Sequence, residues 1–410
     1  MYDVAIAFYS FVVRIVSLFN SKAKKMLTGQ RETLSILAKN RDPQARYIWF
    51  HAASLGEFEQ GRPLIEKIKE EKPEYKILLT FFSPSGYEVK KNYEGADIVC
   101  YLPFDFHTNA NKFLDLTKPE IAIFIKYEFW MNYLNELKKR NIPTYIISAI
   151  FRPTQIFFRW YGYRYRDVLN DFTWFFVQDE NSLKLLERSN LRNISITGDT
   201  RFDRVYQISK QEKKLPLVEE FVNRAEKKQF VLIAGSTWDK DEEILIPYFN
   251  QHPEIKLIIA PHETGKSRIM ELQNRLKRPS MLYSQADDKE LEKAECLIID
   301  CVGLLSSIYR YGTIAYVGGG FGTGIHNVLE AAVYGMPVLF GPNYGKFKEA
   351  KDLIAIKGAF PVSNEADFST QINNWLVYPD LIQTAGEQAK NYVANNLGAT
   401  QKIYKKIFHI

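Results

Sequence analysis

The chain of 410 residues is poor in the residues that staple small folds or bind metals: it has three cysteines, Cys100, Cys296 and Cys301, and six histidines. No CxxC pair, even cysteine framework or Cys/His cluster occurs, which excludes a disulfide scaffold and a structural zinc site and fits a reducing compartment. Charge of one sign is also scarce. With 54 Lys+Arg against 48 Asp+Glu the formal charge is +6, too mild an excess to mark a nucleic-acid binder. Disorder is excluded by a hydrophobic fraction of 46%, ordinary for a packed protein. Long apolar runs are missing as well, with one partial exception. Val4 to Phe19 is interrupted only by Ser10, Arg14 and Ser17, yet it falls short of the roughly 20 residues that span a bilayer. It has neither the leading positive charge nor the cleavage site of a signal peptide. Lys22, Lys24 and Lys25 follow it. Residues 1–25 are therefore expected to lie on a membrane surface, with a helix buried in the domain as the alternative.

What the chain does have is a repeated alternation of short apolar runs with helical stretches. The runs Tyr47–His51, Lys76–Phe82, Ile98–Leu102, Ile121–Ile125, Thr144–Ser148 and Trp174–Gln178 predict a first parallel sheet. Phe230–Ala234, Leu257–Ala260, Cys296–Asp300, Ile314–Val317 and Pro337–Phe340 predict a second. Continuous rather than alternating hydrophobicity marks strands buried on both faces. The reading is an α/β protein of two doubly wound, Rossmann-like domains, 26–205 and 229–410, with a charged linker at 206–228. The last helix is expected to pack back on the first domain. Ligands in such sheets bind outside the carboxyl ends of the strands, here expected in a cleft between the domains.

Chemistry should therefore sit where strands end. Val317-Gly318-Gly319-Gly320 leads through Phe321-Gly322-Thr323-Gly324 to Ile325-His326-Asn327-Val328-Leu329-Glu330, a strand, a glycine-rich turn and a helix start. Glycines let backbone approach a ligand, and free helix amides attract phosphate. Glu330, one turn into the helix, can accept hydrogen bonds from a ribose diol, or serve with Asn327 in a capping box. His51-Ala52-Ala53-Ser54-Leu55-Gly56-Glu57 places Glu57 at a sheet edge, where Ser54 and Glu57 also have capping-box spacing; spacing alone favours the cap. Lys126 and Glu128, two apart in Ile125-Lys126-Tyr127-Glu128-Phe129-Trp130, share a side if the stretch is extended. Weaker candidates are Arg201 within Gly198–Asp203, the hydroxyls of Gly235-Ser236-Thr237-Trp238, Pro261-His262, and Val302-Gly303-Leu304. From Phe151 to Arg166, Arg152, Arg159, Arg164 and Arg166 are interleaved with Phe157, Phe158, Trp160, Tyr161, Tyr163 and Tyr165, a composition suited to a phospholipid-like acceptor.

Together these segments resemble the 3-deoxy-D-manno-octulosonate (Kdo) transferases of lipopolysaccharide assembly, GT-B glycosyltransferases that move Kdo from CMP-Kdo onto lipid A precursors. The resemblance rests on H-A-A-S-L-G-E, Y-E-F-W, T-G-D-T-R-F-D, A-P-H and V-G-G-G-F…G-I-H-N-V-L-E-A-A, in one order over nearly the whole chain. It implies an inverting transfer with Glu57 as general base, Arg201 stabilising the transition state, and catalytic roles near Lys126 and Glu128. Pro261, His262, Val302, Gly303, Leu304, Gly319, Gly320, Asn327, Val328, Leu329 and Glu330 would bind CMP. No metal and no cofactor are implied, since basic groups and helix amides can stabilise the leaving phosphate. Implied partners are CMP-Kdo, a lipid A precursor and a membrane surface at the cytoplasmic face of the inner membrane. Nucleic acid is not among them. The chain departs from the family at Lys126, where the family reads E-T-E-L-W, at Ala260-Pro261-His262, where it reads P-R-H, and at Leu304, where a glutamate is usual.

Overall fold

The computed structural model describes residues 2–211, 213–224, 229–286 and 291–410. The chain divides into two compact units, Met1–Arg204 with Leu397–Ile410, and Val205–Asn396. In the first, seven strands run β1 (Arg46–Ala52), β2 (Tyr75–Phe81), β3 (Ile98–Tyr101), β4 (Ile121–Ile125), β5 (Thr144–Ala149), β6 (Trp174–Val177) and β7 (Ile194–Ile196). All pair in parallel, in the order β3-β2-β1-β4-β5-β6-β7. The second unit repeats the plan with β8 (Phe230–Thr237), β9 (Ile255–Pro261), β10 (Ser280–Leu282), β11 (Cys296–Ile298), β12 (Ile314–Val317), β13 (Val338–Phe340) and β14 (Ala359–Pro361), ordered β10-β11-β9-β8-β12-β13-β14. In each unit the first strand lies inside the sheet; the first sheet winds outward from β1 in both directions, whereas in the second β11 returns to lie between β9 and the edge strand β10.

The strands form where β-branched and aromatic residues run without interruption, and they are buried on both faces. Trp49 and Phe124 pack on one side of the first sheet, Ile48 and Ile123 on the other. Three strands escape the sequence reading: β7, β10 and β14 are edge strands of three residues each. An edge strand has one partner and less burial, so its composition is less apolar.

Five further helices position the features that follow: α1 (Tyr2–Val16), α2 (Ser21–Asn40), α3 (Leu55–Glu71), α4 (Asp239–Gln251) and α5 (Ala399–Phe408). The first packs Ile6 and Val13 against Met26, Tyr101 and Phe104. Its opposite side leaves Val4, Phe8, Phe11 and Ile15 in solvent, and Leu18 and Phe19 follow. Among the described residues, no helix is long and apolar enough to cross a membrane. The last helix belongs to the first unit rather than to 229–410. Ile403, Tyr404 and Ile407 join the core beneath α3, and the Asp203 carboxylate accepts from the amides of Gly398 and Thr400 at its head. Within 206–228, residues 212 and 225–228 lie outside the described residues. The rest of that span includes the helix Pro216–Asn223, which belongs to the second unit with Val218 and Phe221 buried.

Candidate active site

In the first unit the site begins where β1 and β4 end side by side. His51 is fully buried, and its Nδ1 lies 2.9 Å from the Thr80 hydroxyl. Its Nε2 lies 3.1 Å from Glu128 Oε2, which also accepts from Trp130 Nε1 at 2.7 Å. Trp130 Nε1 also lies 3.1 Å from His51 Nε2, so the indole, the imidazole and the Glu128 carboxylate form one cluster. Glu128 accepts from Trp130 behind the strand end. Lys126 has a left-handed backbone, φ 69°, which breaks the extended stretch that would have aligned it with Glu128. Its ammonium lies 5.1 Å from the Tyr127 ring centre.

Glu57 lies in the first turn of α3. Ser54 occupies the position before the helix, but its side chain makes no bond to the helix amides; instead its hydroxyl donates to the Glu57 carboxylate. The capping box expected from spacing is replaced by a hydroxyl that orients the carboxylate. At the end of β7, Asp199 is buried and accepts from Arg201 three times, from its amide at 2.9 Å and from Nε and Nη2 at 2.8 Å. Nε and Nη2 converge on Oδ2 while the Arg201 amide takes Oδ1, so both carboxylate oxygens hold this one residue. Tyr127 ties these groups together. Burial raises its phenol above the usual value, with Arg152 and Arg201 opposing the rise and Glu57 and Asp199 adding to it. One half-buried phenol therefore lies in the electrostatic field of Glu57, Arg201, Asp199 and Arg152. Tyr127, His51 and Asp199 are participants that spacing does not single out; all three lie inside the quoted motifs, beside the residues chosen.

In the second unit the equivalent place is where β8, β9 and β12 end. Trp238, His262 and His326 form a stack, with ring centres 4.5 Å apart for Trp238–His262 and 4.7 Å for His262–His326. Trp238 Nε1 donates to His326 Nε2 at 3.3 Å, which requires a neutral His326. Burial, aided by the neighbouring His262, lowers its pKa to about 4. Pro261 ends β9, and the His262 amide donates to Thr237 O.

The glycine turn is built on close approach. A Cβ at Gly318 would lie 2.3 Å from the Ser236 carbonyl oxygen, and one at Gly320 would lie 2.6 Å from the Gly341 backbone; Gly319 has φ +90°. The Gly319 amide is spent on Asp241, which also accepts from the Trp238 amide and the Tyr316 hydroxyl. That bond removes it as a phosphate donor. Asp239-Lys240-Asp241 is the chain's single Asp-x-Asp spacing, passed over in the metal-free expectation. Its two carboxylates diverge into separate tasks, since Asp239 pairs with Arg268 at 2.8 Å. Among the described residues, no three His, Cys, Asp or Glu side chains gather as a metal site.

The helix after the turn spans only Leu329–Ala332, later and shorter than expected. Val328 and Leu329 are core residues, so their side chains face no ligand. Asn327 Oδ1 accepts from the Leu329 amide, while its Nδ2 donates to Glu330 Oε1 at 3.1 Å. Ser306, from the helix that follows Val302-Gly303-Leu304, donates to Glu330 Oε2 at 2.5 Å. Glu330 is thereby presented by two neighbours rather than folded back in a capping box. Val302 is exposed, and Gly303 takes φ +88°.

Comparison with known proteins agrees with this layout. The profile of the 3-deoxy-D-manno-octulosonic-acid transferase (kdotransferase) family matches residues 28–204. The 3-deoxy-D-manno-octulosonic acid transferase of Aquifex aeolicus is 27% identical over 80% of this chain and 86% of its own length. That of Haemophilus influenzae is 24% identical over 96% and 93%. Among solved structures, UDP-GlcNAc 2-epimerase from Neisseria meningitidis covers 89% of this chain and 100% of its own at TM-score 0.64 and 14% identity. MurG from Acinetobacter baumannii reaches 0.55 at 13%, over 89% and 100%. These likenesses identify the fold as GT-B; at such identity they speak to fold alone. Residues 28–204 carry the domain of the 3-deoxy-D-manno-octulosonic-acid transferase family, and over most of its length the chain is similar to glycosyltransferases of that name.

Proposed function

We propose that the protein transfers Kdo from CMP-Kdo to a lipid A precursor by a single inverting displacement, as its relatives' names suggest for the sugar. The observation that carries the reading is the Glu57 carboxylate, oriented by Ser54 and sharing the field of one phenol with an Arg201 clamped by Asp199. Glu57 takes the proton from the acceptor hydroxyl as that oxygen attacks the anomeric carbon. The bond from that carbon to the CMP phosphate breaks as the new one forms. Arg201 and the backbone around the glycine turn offset the charge that develops. Glu330 takes the ribose hydroxyls, and the Trp238–His262–His326 stack supports the base. No metal or cofactor is required in this scheme.

The membrane reading is part of the same proposal. The free apolar side of α1, Leu18 and Phe19, and Lys22, Lys24 and Lys25 suit the cytoplasmic face of the inner membrane. Trp160 and Tyr163 are exposed in the Arg/aromatic stretch and suit interfacial depth. Arg164's side chain lies outside the described residues. The test is incubation of the full chain with CMP-Kdo and a lipid A precursor, followed by mass analysis of products. The expected result is a lipid heavier by whole Kdo units, with CMP released only when acceptor is present. Release of CMP without acceptor, or an epimerised free sugar, would overturn it.

A further inference from the structure

Glu57 and Arg201 are carried by different elements of the first unit, and one buried hydroxyl ties those elements together. Glu57 stands in the first turn of α3. Gln60, three residues on, shares its side of the helix and is buried. The main-chain oxygen of Gln60 accepts from Thr200 Oγ1, and its Nε2 lies 3.5 Å from Asp199 Oδ1. Thr200 is itself fully buried and opens the helix Thr200–Lys210, next to the clamped Arg201. One turn further Arg204, also buried, reaches back, its Nε donating to Glu59 Oε2 at 3.1 Å. The helix that carries the base is therefore seated on the segment that carries the guanidinium.

Two features set the Thr200 hydroxyl apart from an ordinary threonine at a helix start. Such a residue commonly spends its oxygen on the first amides of its own helix. Here Asp199 Oδ1 takes the Arg201 amide at 2.9 Å, and the Thr200 hydroxyl turns to other elements instead. It has one proton to give. With that proton on Gln60 O, the Ser148 hydroxyl, 2.8 Å from Thr200 Oγ1, is the donor in their shared bond. The bonds thus run one way, from Ser148 through Thr200 to α3. The second feature is backbone strain at the start of this chain. Ser148 has φ 50° at full burial near the end of β5, where pairing with β6 loses register between Ile146 and Ala149. A residue other than glycine keeps a left-handed backbone only where its surroundings impose it, and such positions gather at functional sites. The Ser148 carbonyl accepts from Gln178 Nε2 at 2.8 Å, while its hydroxyl serves Thr200.

We propose that Thr200 is a positioning residue for the transfer: its hydroxyl seats α3 and so sets the place of the Glu57 carboxylate relative to Arg201. The proposal rests on the reading of Glu57 as general base. Asp199 holds Arg201 through three bonds that do not involve Thr200, so loss of the hydroxyl frees α3 rather than the guanidinium.

The test is steady-state transfer from CMP-Kdo to a lipid A precursor by the full chain, with Thr200 changed alone and in a Glu57→Gln background. Thr200→Val removes the hydroxyl at nearly constant shape. It should lower kcat about tenfold with the donor's KM within about twofold, since small displacements of a reacting group are costly. Thr200→Ser, which keeps the hydroxyl, should hold kcat within about threefold of the parent. In the Glu57→Gln background Thr200→Val should lower kcat by less than about twofold further, because the group it positions is gone. Ser148→Ala, which removes only the donor to Thr200 Oγ1, should lower kcat about threefold, and it answers the same question if Thr200→Val melts below the assay temperature. An unchanged kcat for Thr200→Val or Ser148→Ala, an inactive Thr200→Ser, or an equal loss in the parent and Glu57→Gln backgrounds assigns the hydroxyl to the fold alone and overturns the proposal. A parent that transfers no Kdo overturns the functional reading and this proposal with it; an active parent with indifferent Thr200 variants overturns this proposal alone.

Discussion

The two units are both seven-stranded parallel sheets, differing in where the fourth strand is inserted, and their strand ends carry contrasting side chains. In each, the first strand of the sheet sits centrally, and the loops that leave its carboxyl end meet those of its neighbours. In the first unit that point holds charge: Glu57, the Arg201–Asp199 pair, and Glu128 between His51 and Trp130. In the second it holds a largely neutral surface, three stacked rings and a glycine turn, with Glu330 as its presented acid. The difference teaches that the sheet supplies a place where chain ends converge and is indifferent to what converges there. A base needs an oriented carboxylate. In the proposed reaction, flat rings, close backbone and a hydrogen-bond acceptor are what a nucleobase and a ribose would meet in the second unit.

That contrast can be broken by separating turnover from donor binding. Glu57→Gln should lower kcat about 10³-fold, within the range for loss of a general base, while the donor's KM changes less than threefold; a donor KM raised tenfold would place Glu57 in nucleotide binding. Gly318→Ala should act on the second unit through packing, since the new Cβ meets Ser236 O at 2.3 Å and Thr237 Cα at 2.7 Å. Overpacking of this kind costs about 1–3 kcal/mol, readable as a lower Tm and weaker nucleotide binding; an unchanged melting curve would mean the turn relaxes freely. Glu330→Gln should raise donor KM about tenfold with kcat within a few-fold, the value of one charge-assisted bond pair. A pure loss of kcat would move Glu330 into the chemical step.

The smallest effect concerns pH. His326 titrates near 4 when folded, against an ordinary 6.5 when unfolded. Above about pH 6.5 both states are neutral there, and stability does not depend on this group. As pH falls toward 4 the unfolded chain takes up the proton first, so stability falls over that window. A ring titration of His326 followed by NMR, with a midpoint near 6.5, would show that burial does not hold the stack neutral.

Much of this was legible in order along the chain. Uninterrupted apolar runs such as Ile121–Ile125 declared parallel strands, and the glycines of 318–324 declared a close turn. Glu57 and Arg201 stood in recognisable motifs. What stayed hidden depends on neighbours distant in sequence. The stack joins positions 238, 262 and 326 because β8 pairs with both β9 and β12. His51 meets Glu128 because β1 pairs with β4. Spacing could not show that Ser54 would serve the Glu57 carboxylate instead of the helix amides, or that the Gly319 amide would be spent on Asp241.

By itself the sequence determined which segments become strands and helices, because burial on both faces demands an unbroken apolar run and a turn demands glycine. It also determined which residue types stand at strand ends. Only the tertiary structure decided which of those ends adjoin, and hence which donor satisfies which acceptor. Strand order is a choice among pairings that all bury the same residues, and the partner of a buried polar group is fixed only once that choice is made.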